Sequence, residues 1–214
     1  KLGKFNEASK SYEKALKIKP GDKIVLHLVS SLYGKTPKTA PEEYITELFD
    51  NYANRFEKHL TEVLKCKIPE KIVILIKKIS KQKLFFKSTI DLGCGTGLSG
   101  VVLRPLTEYL VGVDISRQMI EKAKNKNIYD HLETENISIY LGKSQMKFES
   151  FVFADVFIYI GDLEKIFSQI SLKSDSNAKF CFSVEKCKDV EFKLLKSGRY
   201  AHSKKYIDRL SKKY

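Results

Sequence analysis

Helical spacing dominates the first third of the chain, and apolar runs alternating with amphipathic stretches fill the rest. Residues 1 to about 20 predict an amphipathic helix ending at Pro20-Gly21, and Lys35 to Pro41 reads as a linker rich in turn formers. From Glu42 to about Leu64, the residues Tyr44, Leu48, Tyr52, Phe56, His59 and Val63 recur on one helical face. One helix is expected there, either continuous or broken near Asp50-Asn51. A further helix is expected over 69–80. Strands follow near 87–92, 109–114, 137–142, 150–157 and 178–185, with helices from Gly97 to about Thr107 and near 116–126, 161–172 and 203–213. Apolar strands separated by helices specify an α/β fold, a doubly wound parallel sheet covered on both faces.

The run Thr89-Ile90-Asp91-Leu92-Gly93-Cys94-Gly95-Thr96-Gly97 ends the first of those strands. Alternating glycines let a backbone bend sharply and approach a ligand without Cβ interference, while the amides of the following helix start face the same space. The second strand, Tyr109 to Val113, ends in Asp114, where a carboxylate can accept two hydrogen bonds from a ribose diol. Strand, glycine loop, helix, strand and acid form one nucleotide-binding βαβ unit. The glycines alone leave a dinucleotide open, because Gly95-Thr96-Gly97-Leu98-Ser99-Gly100 satisfies G-x-G-x-x-G. Asp91 separates the readings: a carboxylate beside the loop repels a pyrophosphate but suits S-adenosylmethionine (SAM), which carries an ammonium and a sulfonium.

With these residues on the page, Ile90 to Gly97 resembles the first motif of class I SAM-dependent methyltransferases, and Val113-Asp114-Ile115-Ser116 resembles their second. The segments Leu48 to Leu60, Ala154 to Leu163, Phe182 to Glu185 and Gly198 to Ser203 are similar to a bacterial family of predicted methyltransferases that carry tetratricopeptide repeats. The resemblance implies a Rossmann-like methyltransferase sheet with SAM as the cofactor. It implies that Asp91 and the backbone of Gly93, Cys94, Gly95 and Gly97 face the methionyl part, Asp114 the ribose, and Ile115 with Met119 the adenine. Tyr52 is similar in position to a tyrosine on a helix that folds over the cofactor, although plain packing would also account for it. An acid usually follows the third strand, but after a strand at 137–142 the chain has Gly142-Lys143-Ser144, so Ser144 or a backbone group is expected to replace it. Gly3, Ala8, Tyr12, Ala15 and Pro20 stand at the offsets of the second half of a tetratricopeptide repeat. The expected division is therefore 1–38, a repeat-like helical fragment and linker, and 39–214, a methyltransferase domain lacking its last two strands. That implies a chain cut at both ends and an exposed sheet edge.

Composition changes the picture only slightly. At 214 residues and 43% hydrophobic content the chain can bury one α/β core with an appendage. The net charge of +13 invites a nucleic acid, but arginine is confined to Arg55, Arg104, Arg117, Arg199 and Arg209, and scattered lysine suits bidentate phosphate recognition poorly. Four cysteines without C-x-x-C spacing or nearby histidines indicate neither a metal site nor a disulfide framework, so a reducing, cytoplasmic location is expected. No apolar run reaches the ~18 residues of a membrane span.

The acceptor pocket of such a sheet forms beyond the carboxyl ends of its strands. Asp155 and Tyr159 follow the fourth strand, and Arg199, Tyr200 and His202 cluster before the last helix. His202, Asp155 and Tyr159 are the candidate catalytic groups, with Arg199 and Tyr200 as substrate contacts; the alternative is that Ser203 caps a helix and its neighbours pack. A methyl acceptor that is a small molecule or a protein is expected, with a protein partner on the repeat-like region. Two alternatives stay open: a repeat-linked binding module with a weak or inactive fold, and an RNA methyltransferase.

Overall fold

The computed structural model describes residues 5–79 and 85–214; Gly3 of the repeat pattern and Ser80 of the helix expected over 69–80 lie outside them. The chain opens with α1 (Phe5–Ile18), α2 (Lys23–Leu32), α3 (Glu42–Lys58), a π-helical turn (His59–Val63) and α4 (Ile68–Ile79). It continues through β1 (Phe86–Leu92), α5 (Leu98–Leu103), β2 (Thr107–Asp114), α6 (Arg117–Lys124), β3 (His131–Thr134), α7 (Ile137–Lys143) and β4 (Phe148–Phe153). Last come α8 (Glu164–Lys173), β5 (Ser174–Phe182), β6 (Glu185–Lys186), β7 (Phe192–Leu194), β8 (Tyr200–His202) and α9 (Lys204–Lys213).

These elements form two compact units. The larger comprises Thr46–Val156 and Lys165–Ser183. Its sheet has the order β3-β2-β1-β4-β5 with every pair parallel. Strands β1, β2 and β4 are covered on both faces: Ile90, Leu92, Leu110, Val111, Val113, Phe151, Val152 and Phe153 are fully buried. This is why they read as continuous apolar runs rather than as alternation. Ile72 and Ile76 of α4 pack with Phe86, Leu103, Leu110, Val152 and Cys181 in one cluster. The strand order reverses between β1 and β4, the switch point where ligands bind in such sheets, and the glycine loop leaves β1 there.

The smaller unit comprises Lys1–Ile45, Phe157–Glu164 and Val184–Tyr214. It holds the α1–α2 pair, α9 and a second sheet, β6-β8-β7, in which β8 is parallel to β6 and antiparallel to β7. Ala40, Leu194 and Tyr200 form its core with Tyr44, Ile45 and Phe192.

One expectation is corrected. The third strand is not at 137–142; it is β3 at His131–Thr134, and residues 137–143 form helix α7. Asn136 decides this, because its side chain accepts from the amides of Ser138 (2.8 Å) and Ile139 (3.3 Å) and so caps a helix. Of the two forms open for the helix from Glu42, the continuous one is found: α3 runs unbroken through Asp50-Asn51 and passes into the π-helical turn at His59.

Candidate donor site and its family

The site is built where β1 and β2 end side by side, with Leu92 paired to Val113 and Asp114 to Thr134 of β3. Gly93, Gly95 and Gly97 all have left-handed φ, at 75°, 54° and 89°. Side-chain residues rarely adopt that conformation, and here it recurs at every second position. The amides of Gly93 and Cys94 both donate to the carbonyl of Val113, at 2.7 and 3.0 Å, which folds the loop back on β2. Asp114 fixes the loop from the other side. Its Oδ2 accepts from the amide of Gly95 and its Oδ1 from that of Ser116, each at 2.9 Å.

Asp91 lies at the centre of this arrangement and is fully buried. Its Oδ2 accepts from the hydroxyl of Tyr129 at 2.7 Å, while its Oδ1 is buried with no hydrogen-bond partner. Burial pushes its carboxyl up to about 7; the Tyr129 hydrogen bond opposes the shift and the charge of Asp114 adds to it. Asp114 is pushed up to about 6, chiefly by burial and against the pull of the Ser116 and Gly95 amides. No basic side chain faces Asp91 among the described residues. A buried acid with an unsatisfied oxygen is costly unless something cationic or a proton-donating group meets it. The ammonium of SAM is such a group, so the residues present fit that donor. Cys94 sits inside the loop with its thiol pushed up by burial and acts as a small spacer.

Helix α3, from Thr46 onward, borders the loop. Asp50 Oδ1 accepts from the Ser116 hydroxyl at 2.5 Å and from the amide of Gln118 at 3.4 Å, tying α3 to the start of α6. Glu57 pairs with Lys126 at 2.6 Å. The ring of Phe56 would stand 3.6 Å from a Cβ on Gly95. Tyr52 meets Phe56 edge-on, with centroids 5.3 Å apart, and hydrogen-bonds to His59 Nδ1. Ile115 is half-buried beside the loop, and Met119 is fully buried in the first turn of α6.

Moving β3 changes which residue follows it. Glu135 and Asn136, not Lys143 and Ser144, stand at its carboxyl end, where the Glu135 amide donates to the Asp114 carbonyl at 3.0 Å. Ser144 is the C-cap of α7, at the opposite end of that helix, and so does not follow the third strand as expected. An acid, Glu135, therefore follows this strand, and its carboxylate pairs with Lys143 at 2.8 Å. The cap at Asn136 was the signal that would have located it.

Asp155, an expected catalytic group, follows β4 in a left-handed conformation, φ 63°, and its amide donates to the Ser183 hydroxyl at 2.8 Å. Tyr159, Arg199, Tyr200 and His202 belong to the smaller unit. Tyr159 closes a 3-10 turn, and its carbonyl accepts from the amide of Ala40 at 3.2 Å. His202 is 1% exposed and its Nε2 donates to the carbonyls of Ile160 (2.9 Å) and Gly161 (3.0 Å); burial lowers its pKa, so it is a neutral core imidazole. Tyr200 is fully buried, with its ring 2.7 Å from where a Cβ on Gly161 would stand. Both are core residues of the smaller unit, and the Tyr200 hydroxyl and His202 Nδ1 are buried without a hydrogen-bond partner. Arg199 is exposed and pairs with Glu185 at 3.4 Å. Among the described residues no cluster of histidine, cysteine and acidic side chains could hold a metal ion.

The comparisons agree with this geometry. No curated protein matches the chain. Among solved structures, magnesium protoporphyrin IX methyltransferase from Synechocystis PCC 6803, crystallised with SAM, superposes with a TM-score of 0.62 at 15% identity, covering 80% of this chain and 84% of that one. The N-methyltransferase NodS from Bradyrhizobium japonicum WM9, in complex with S-adenosylhomocysteine, gives 0.61 at 13% identity, covering 78% and 85%. A SAM-dependent methyltransferase from Clostridium acetobutylicum ATCC 824 gives 0.53 at 23% identity, and the chain spans 65% of itself and 66% of that protein in the match. At these identities the likeness is one of fold. The family described as "Methyltransferase domain" matches residues 87–205, more than half of the chain and inclusive of β1, the glycine loop and Asp114. The chain belongs to that methyltransferase-domain family, with an α/β Rossmann-like fold.

Proposed function

We propose that the protein transfers the methyl group of SAM to a small-molecule or protein acceptor, and that the donor lies across the glycine loop between Asp91 and Asp114. The observation that carries this is the buried Asp91 carboxylate, one oxygen bonded and the other without a partner, beside a loop of three left-handed glycines. SAM supplies a methyl carbon on a positively charged sulfur, already bonded to an excellent leaving group. What the chain must add is alignment and exclusion of water, with a base only for an acceptor that arrives protonated. Asp91 holds the ammonium, the loop backbone the methionyl part, and Asp114 the ribose through lone pairs left beside its two amide bonds. Glu135 and Ile115 border the adenine. Tyr52 and Phe56 of α3 shield the donor from water.

Asp155 is the acceptor-side group we favour. It stands at the carboxyl end of β4 in a conformation that costs a side-chain residue energy, a feature common at functional sites. The paired α1 and α2, with small residues at Ala8 and Ala15, support a tetratricopeptide-like role as a seat for a protein partner. Four free cysteines support a reducing, cytoplasmic setting, and among the described residues no helix is long and apolar enough to cross a membrane. Incubating the protein with methyl-labelled SAM and a cell extract tests the proposal. Label entering metabolites or protein is expected, and an absence of SAM binding by calorimetry would remove the enzyme reading.

A further inference from the structure

We propose that Tyr129 is a positioning residue for the methyl donor: its phenol ties down one oxygen of Asp91 so that the other is held ready for the donor's ammonium. This rests on the donor site proposed above. The chain brings Tyr129 to Asp91 with a clamp beside it. Asp130 Oδ2 accepts from the Leu110 amide and from Arg104 Nη1, each at 2.6 Å, and Arg104 Nη2 donates to the carbonyls of Thr107 and Glu108, each at 2.6 Å. The neighbour of Tyr129 is thereby fastened to β2.

The ring then fills a slot that only glycines leave open. A Cβ on Gly100 would stand 2.3 Å from the phenolic oxygen, and one on Gly112 would stand 2.8 Å from the ring. From this slot the hydroxyl donates to Asp91 Oδ2 at 2.7 Å, which uses its single hydrogen. Oδ1 is buried and keeps its lone pairs without a hydrogen-bond partner. A phenol orients the carboxylate without neutralising it, as a lysine or arginine in the same slot would. The groups facing Asp91 are the Tyr129 hydroxyl, the Asp114 carboxylate and the Cys94 thiol, none of them basic.

The test compares S-adenosylhomocysteine with 5′-methylthioadenosine, which shares the adenine and ribose but lacks the ammonium. Wild type and Tyr129→Phe are titrated with each by calorimetry across about pH 6 to 9, spanning the titration of Asp91. The variant is expected to lose about tenfold in affinity for S-adenosylhomocysteine near neutrality, the scale of a hydrogen bond to a charged group. It should keep its affinity for methylthioadenosine. The pH at which S-adenosylhomocysteine binding strengthens should move upward, because the ionised carboxylate has lost a donor. In an Asp91→Asn background, Tyr129→Phe should cost nothing further.

Equal losses for both ligands, or the same loss at every pH, would overturn the positioning role and leave the donor site standing. Failure of the wild type to bind S-adenosylhomocysteine would overturn both. A measurement on the unaltered protein guards against a variant that does not fold: the carbon-13 shift of the Tyr129 ring Cζ should move on adding S-adenosylhomocysteine and stay still on adding methylthioadenosine. No movement with the former overturns the proposal.

Discussion

Burial favours a protonated Asp91 whereas donor binding needs it ionised, and the consequence can be measured. The group titrates near 3.8 in an unfolded chain and is pushed up to about 7 in the fold, so between those values the folded state holds a proton that the unfolded state has released. Its stabilising contribution is complete below about 3.8, falls as pH rises and is gone above about 7. Donor binding has the reverse dependence, since an ammonium needs the ionised carboxylate. Asp91→Asn should therefore melt at a higher temperature than wild type at pH 8 and at a similar temperature near pH 4, while binding SAM at least about tenfold more weakly. Thermal melts with and without SAM check both halves. Asp114 is pushed up to about 6 and shifts stability in the same sense. Asp114→Ala removes a ribose acceptor and also frees the amides of Gly95 and Ser116. A loss of about 1.5–3 kcal/mol in SAM affinity is expected by calorimetry, and unchanged affinity would mean that the ribose is held elsewhere.

Among the elements, what the sequence disclosed and what it concealed follow from how local each signal is. Strands β1, β2 and β4 are buried on both faces and announce themselves as apolar runs; each begins within two residues of the expected position. Strand β3, His131-Leu132-Glu133-Thr134, is short, polar and partly exposed, so it carries no such signature. Ile137-Ser138-Ile139-Tyr140-Leu141 alternates like a strand and took its place, although Asn136 caps a helix there. Asn136→Ala should cost about 1 kcal/mol of stability, the usual worth of such a cap, and lower the melting temperature without altering SAM affinity. The glycine loop and the acids ending β1 and β2 were legible because their chemistry lies within a few residues. The Tyr129 bond to Asp91 and the Asp50 bond to Ser116 join residues 38 and 66 positions apart, and no periodicity encodes them. The burial of His202 and Tyr200 beside the exposed Arg199 was hidden for a related reason, because it depends on packing against Gly161, about 40 residues away in sequence.

The charge of the whole molecule yields a test that separates the acceptor classes. A chain of net charge +13 attracts nucleic acid at low salt whatever its function. It also repels SAM, whose ammonium and sulfonium outweigh its carboxylate. Salt screens the distant surface lysines efficiently, because interactions beyond about 8–10 Å are damped near physiological ionic strength, whereas the buried pair Asp91 and Asp114 is screened far less. Raising salt should therefore leave SAM affinity unchanged or slightly improved. Binding to RNA would instead fall steeply, by about a thousandfold or more between 50 and 200 mM salt if six or more phosphates were engaged. Transfer to a small-molecule or protein acceptor should follow the donor and stay nearly flat over that range, and nuclease treatment of the extract should leave label incorporation intact. Activity that collapses with salt in step with RNA release, while SAM affinity holds, would move the acceptor assignment to nucleic acid and leave the donor site unchanged.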